Sequence, residues 1–271
     1  MKNEDGTIFD CIEMNKQPAF DHPLLKNHTI QLQPSSIPKG LLFGAKSSGV
    51  PGASKRKGVD CPVGTVPIRR TTKEDLLKAK ALSTTFTMAQ APPSIGHYAG
   101  SGKQGCYNIL CSGFVQTSSK HPLGDEILRA STYGGEQFSM VVLIVKDPKT
   151  GNWLLLEAMD DAGQVQIGYW PSALFSGLAA SAGGVQFGGE AYSPPGVPPP
   201  AIGSGHFELA NFRDTSYISH IQFVDSTLKP YDPANVAIGD VNVKCFRSKY
   251  LGDTQSSPGY ASLFGGPGGC L

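Results

Sequence analysis

One carboxylate sits in the most chemically suggestive context of this 271-residue chain. Glu190 closes the run Val185-Gln186-Phe187-Gly188-Gly189-Glu190, and a proline-rich stretch then leads to Gly203-Ser204-Gly205-His206-Phe207. An apolar strand ending in a glycine pair places the acid at a strand terminus, where a second backbone can approach closely. A general acid or base is commonly mounted in this way. A charge at a sheet edge is more often simply solvated, so the catalytic reading of Glu190 depends on the rest of the chain. Gly188, Gly189 and His206 are the candidate walls of a substrate cleft, although a histidine in such a loop is more commonly structural, fixed by a backbone bond. The six histidines show no metal-ligand spacing. Neither a metal nor a cofactor is expected.

The elements around these residues read as β structure. With Gly 33 and Pro 21, turns are frequent and strands short, yet the proportion falls below that of a disordered chain. Lys and Arg number 23 against 22 Asp and Glu, which gives no field to steer nucleic acid or a charged membrane surface. No apolar run approaches the roughly 18 residues of a membrane span. The chain opens Met1-Lys2-Asn3-Glu4-Asp5-Gly6 without an apolar segment behind it, so no secretory signal is expected in this text.

Six cysteines nonetheless point to an oxidising compartment. They fall in pairs along the chain, which suggests Cys11 with Cys61, Cys106 with Cys111, and Cys245 with Cys270, one of the many connectivities that six cysteines allow. The sequon Asn27-His28-Thr29 fits the same secretory setting as a candidate glycosylation site.

Residues 1 to 40 read as loop and short strand, with Pro18 and Pro23 excluding a regular helix and leaving an extended segment laid against a neighbour. Residues 44 to 60, with the basic cluster Lys55-Arg56-Lys57, read as an exposed linker open to proteases. A capping box with Thr71 as cap and Glu74 reaching back predicts a helix to about Leu82. Strands are expected over 138–146 and 153–159, joined by a hairpin at Asp147–Asn152, and again over 164–170, 185–189, 217–224, 236–246 and 260–264. Pro171 followed by Leu174, Phe175, Leu178 and Ala179 predicts a short helix. Repeated short strands with Gly and Pro turns argue an antiparallel β-sandwich.

In order along the chain, several runs resemble the neprosin family of plant glutamic peptidases. Asp10-Cys11-Ile12 with Lys16-Gln17-Pro18-Ala19-Phe20-Asp21-His22-Pro23-Leu24-Leu25-Lys26-Asn27-His28 resembles its activation propeptide. Gly105-Cys106-Tyr107-Asn108-Ile109-Leu110-Cys111-Ser112-Gly113-Phe114, Gly168-Tyr169-Trp170-Pro171, Phe187-Gly188-Gly189-Glu190, Gly203-Ser204-Gly205-His206-Phe207 and Gly265-Gly266-Pro267-Gly268 with Cys270 resemble its peptidase domain. The resemblance implies a propeptide and linker at 1–83 and a peptidase domain at 95–271. It further implies a mainly β, lectin-like sandwich, a secreted protein, activity at acid pH, cleavage after proline in peptide substrates, and the chain's own propeptide as inhibitor. Its site uses two glutamates, since two close carboxyls share a proton and divide the roles of acid and base. Glu190 is one of them.

The chain departs from that pattern where the other glutamate belongs. Family members carry it in a Ser-Ile-Glu-Ala-Gly-Trp-like context before the Cys-Tyr-Asn loop, whereas here His97-Tyr98-Ala99 is followed almost at once by Ser101–Cys106. An internal truncation near 100–105 is therefore expected, of the kind that a skipped exon or a decayed gene produces. Glu126, Glu136, Glu157 and Glu208 sit in no matching motif. Loss of such a block is expected to bare apolar faces and sheet edges. Two functions compete on this reading. One is an impaired acid endopeptidase; the other is a non-catalytic binding module using Tyr169, Trp170 and Tyr192 against wall glycans or proline-rich proteins, with a core role the commoner fate of such rings.

Overall fold

The computed structural model describes residues 1, 6–41, 52–53, 56–77, 112–124, 127–159, 163–189, 191, 193, 196–208, 211–239, 244–255 and 259–270. In chain order the described strands are β1 (Phe9–Glu13), β2 (Gly52–Ala53), β3 (Thr65–Arg69), β4 (Val115–Gln116), β5 (Phe138–Ser139), β6 (Val142–Lys146), β7 (Trp153–Met159), β8 (Gly163–Trp170), β9 (Ser216–Ile218), β10 (Phe223–Val224), β11 (Pro230–Tyr231), β12 (Arg247–Asp253) and β13 (Tyr260–Gly265). The chain is mainly β with antiparallel sheets, the class that its sequence implies, and β2 with β5 is the one parallel pairing among these strands. It divides into two compact units, Met1–Ile37 with Ser54–Leu128 and Met140–Val185, and Pro38–Ala53 with Arg129–Ser139 and Gln186–Leu271.

The first unit is built on a sheet ordered β4-β8-β7-β6. The expected hairpin forms, pairing Val142 with Glu157 through to Lys146 with Trp153. Asp147 N–H donates to Asn152 O across its turn at 2.8 Å, and Gly151 supplies the left-handed residue at φ +74°. Leu154, Leu155, Leu156 and Glu157 are all buried, a run without alternation that marks a strand covered on both faces. On one face Leu155, Ile167 and Trp170 pack with Phe114, Leu123 and Phe175. A bulge on β8 sets Leu155 opposite Gly168 and Leu156 opposite Gln166, leaving Ile167 O to accept from both Thr117 and Ser118 N–H. On β6, Leu143 and Val145 are buried while Val142 and Ile144 are exposed.

The N-terminal residues belong to this unit. β1 and β3 pair from Phe9↔Arg69 to Glu13↔Thr65, and Cys11 is bonded to Cys61. Between β1 and residue 26 the chain makes three 3-10 turns, Met14–Lys16, Pro18–Asp21 and Pro23–Leu25, in place of the extended run expected. Pro18 and Pro23 each open a turn, where a missing N–H costs nothing.

Other expectations shift. The helix caps one residue later: Thr72 Oγ1 accepts from Asp75 N–H at 3.1 Å, Asp75 Oδ2 accepts from Thr72 N–H at 2.8 Å, and 73–77 are helical. Asp75 thus fills the role assigned to Glu74, and residues 78–82 lie outside the described residues. The helix after Pro171 is a single 3-10 turn, Ser172–Leu174.

In the second unit β13 is central, pairing with β12 and β9, and buries Ala261, Leu263 and Gly265 in alternation. The strand expected over 217–224 breaks at His220, which takes φ +53°, leaving β9 and a small hairpin of β10 and β11. Described residues of 236–246 and of 185–189 form no strand, and Val185, Phe187, Val236 and Ile238 are exposed. Apolar spacing marks a face but supplies no ladder partner; Arg247–Asp253 has one in β13. Cys245 is bonded to Cys270.

Gly168 ties sequence to packing most tightly. A Cβ there would lie 2.3 Å from Val115 O and 2.6 Å from the Phe114 ring. Gly168→Ala is expected to cost about 3 kcal/mol by forcing β4 from β8, read as a lower midpoint in urea.

Candidate functional site

Glu190 lies outside the described residues, as do Tyr192, Cys106, Cys111 and the 100–105 junction. The described residues around Glu190 belong to the second unit. Gly189 is held by protein packing, since a Cβ on it would come 2.7 Å from Ile202 Cγ2 and 2.7 Å from the Phe264 ring. Gly188 faces open space. Ile202 is bridged to Gly266, and Gly205 N–H donates to Ile202 O at 3.2 Å. Gly203 takes φ +65° with its would-be Cβ 2.7 Å from Ser216 Oγ. Those two constraints leave glycine as the residue that fits.

His206, after this turn, is exposed. Its ring lies 4.2 Å from that of Tyr133, tilted by 30°. Sequence reasoning passed over Tyr133, whose only signal is an aromatic residue before Gly134-Gly135 in a polar segment. Its loop is pinned from within: Gln137 Nε2 donates to Thr132 O at 2.7 Å and to Arg213 O at 3.0 Å, and Arg213 Nε donates to Gly134 O at 2.8 Å. The result is an exposed ring pair on a braced loop, fit to stack against a flat ligand group.

Tyr169 and Trp170 cannot serve as a binding surface, because they are 0% and 7% exposed. Both lie on the interior sheet, and this part of the binding-module expectation is corrected. Glu157 is buried too, its carboxylate 2.6 Å from the Arg56 guanidinium, with both side chains about as enclosed. It is a structural ion pair that takes Arg56 out of the open linker expected there, while Lys57 stays exposed and Lys55 lies outside the described residues. Among the described residues no group of three or more His, Cys, Asp or Glu side chains could hold a metal ion, and no helix is long and apolar enough to cross a membrane.

The N-terminal segment grips the first unit through polar side chains that are themselves buried. Gln17, 1% exposed, donates from Nε2 to Gln116 O at 3.1 Å and accepts from Gln116 N–H at 2.7 Å, so its amide pairs with β4 as another strand would. The Tyr169 hydroxyl accepts from Gln31 N–H at 3.0 Å and meets His28 Nε2 at 2.8 Å. Burial pushes this phenol up to about 12 and pulls the His28 imidazole down from its usual range. Asp147, also 1% exposed, accepts from Ser35 N–H at 2.7 Å, Ser35 Oγ at 2.8 Å and Gln31 Nε2 at 2.9 Å. Lys149 and Thr150 N–H add two more bonds at 3.0 Å each. Asn27, in the turn after the third 3-10 turn, stays exposed.

Burial alone would raise the Asp147 carboxyl, but the donors of Ser35, Thr150 and Lys149 prevail and hold it down to about 2. Its contribution to stability is therefore whole above the ordinary carboxylate range and is lost as pH falls toward 2. Asp147→Asn is expected to destabilise the full chain by about 2 to 4 kcal/mol at neutral pH. Urea titrations should find that gap nearly unchanged at about pH 4 and shrinking near pH 2.

Two family comparisons complete the picture. The neprosin family matches residues 88–267, and the neprosin activation peptide matches residues 1–98. The second match takes in the clasping segment from Gln17 to Ser35, and the first takes in Gly188, Gly189, Glu190 and His206. The chain belongs to the neprosin family and carries that family's activation peptide.

Proposed function

We propose that the chain is the precursor of a secreted acid glutamic endopeptidase that favours cleavage after proline. Residues 1–83 act as its removable inhibitor, and 95–271 form its peptidase domain. The observation that carries this reading is the pair of family matches together with an N-terminal segment bonded through Gln17, His28, Gln31 and Ser35 to the sheet that follows it. Two disulfides support an oxidising destination, and exposed Asn27 is available for glycosylation.

In this reading Glu190 exchanges protons with the attacking water or the leaving amine, and Tyr133 with His206 offers ring faces to a proline of the substrate. No counterpart of the family's other glutamate stands in the sequence, and Glu157 is committed to Arg56. A lone carboxyl must then serve both proton transfers. Losing one acid–base partner lowers the rate by about 100- to 10,000-fold.

The exposed Tyr133 and His206 rings favour a second reading, a non-catalytic module that binds proline-rich peptides. One experiment separates the two. Purified chain from which the inhibitor segment has been cleaved and removed is expected at about pH 4 to cut proline-containing peptides slowly after proline, and Glu190→Gln to abolish the cutting. Equal cutting by the variant, or none by either protein, rejects the endopeptidase. Heat of binding to the uncut peptides, lost in Tyr133→Ala, would then establish the module.

A further inference from the structure

We propose that the activation segment is a tethered clamp. Cutting the chain between Cys11 and Cys61 leaves it bound, and it can leave only after scission on the carboxyl side of Cys61. The inference rests on the assignment of the activation peptide and is independent of the catalysis proposed above.

The covalent path carries the first part of the argument. Cys11 lies within β1, Cys61 lies just before β3, and their bond closes a loop spanning 50 positions. Any single cut inside that loop leaves its two ends joined through sulfur. The same ends are joined again by the β1–β3 ladder, where Cys11 faces Pro67.

Both approaches to the Gly- and Ser-rich stretch at 42–51 are also anchored noncovalently. Upstream, Gln17 holds the backbone of Gln116, Gln31 holds Tyr169, and Ser35 holds Asp147. Downstream, Arg56 is paired with Glu157 and bridged to Ile127. Val59, 3% exposed, donates its N–H to Lys120 O at 2.7 Å. A trypsin-like enzyme must draw a basic side chain into its own acidic pocket, and Arg56 has its guanidinium buried in an ion pair. Lys46 is the basic residue left for a nick in the stretch itself. Such a nick is silent: the chain is cut, yet every contact of the clamp survives. A protease acting there primes nothing, whereas one acting beyond β3 severs the tether.

The test places the recognition sequence of a site-specific protease at 45–50 in one full-length variant and at 85–90 in another. After cutting the first, the fragments are expected to co-elute in native gel filtration, to run as one band in denaturing gels without reductant, and to split into two bands with it. After cutting the second, two bands are expected without reductant. The unmodified chain provides a check that needs no engineered site. Brief trypsin treatment followed by intact mass analysis without reductant should find single nicks between Cys11 and Cys61 adding only the mass of water. A fragment carrying Cys11 that is freed without reductant by a cut at 45–50, or by a single trypsin cut between Cys11 and Cys61, would overturn the proposal.

Discussion

A buried carboxylate in a hairpin turn organises the first unit of this molecule. Asp147 closes the β6–β7 connection from within, through the N–H groups of Lys149 and Thr150, and simultaneously receives Ser35 and Gln31 from the activation segment. Enclosed as it is, the charge would be costly without those donors; with them, it makes local turn and distant segment conditional on each other. The same logic recurs along the sheet. Tyr169 is driven inside by its ring and needs a partner for its hydroxyl, which Gln31 and His28 provide. Gln116 sits at a sheet edge whose backbone groups need pairing, and the Gln17 amide supplies it. Each bond satisfies a group that burial of the sheet would otherwise leave wanting.

This arrangement makes the activation segment a part of the core. Its own 3-10 turns are short, two of the three opened by proline, and bury few apolar residues, chiefly Ala19 and Leu25. Such a segment has little reason to fold alone. Its order comes from side chains that complete another element's hydrogen bonds, so specificity is carried by Gln17, Gln31, Ser35 and Asp147. A segment held in this way recognises one surface in one register.

The strands with partners nearby in sequence were legible from the text. The hairpin at Asp147–Asn152 followed from its Pro, Gly and Asn punctuation, and β8 and β13 followed from their apolar runs. What failed was inference from spacing where pairing decides. Val185–Phe187 and Val236–Ile238 carry the right residues and form no ladder among the described residues, whereas Arg247–Asp253, polar in appearance, pairs with β13. The candidate site was legible as motifs: the glycines at 189 and 203 answer to close contacts with Phe264 and Ser216. Tyr133 was not, because its meeting with His206 joins residues distant in the chain, and one sequence holds no trace of that contact. The polar clasp was equally hidden, since a buried Gln or Asp reads in sequence as a surface residue.

With the clasp bonded into the core, the activation segment and the four-stranded sheet are expected to open as one cooperative unit. Native-state hydrogen exchange on the intact chain measures this directly, by comparing the amides of Gln31, Ser35 and Gln116, whose partners belong to the clasp, with those of Leu154, Leu155 and Leu156 in the sheet interior. A common opening free energy and a common response to low denaturant are expected. Clasp amides that exchange at a much smaller free energy, while the β7 amides keep full protection, would show the segment to be a detachable appendage and contradict that expectation.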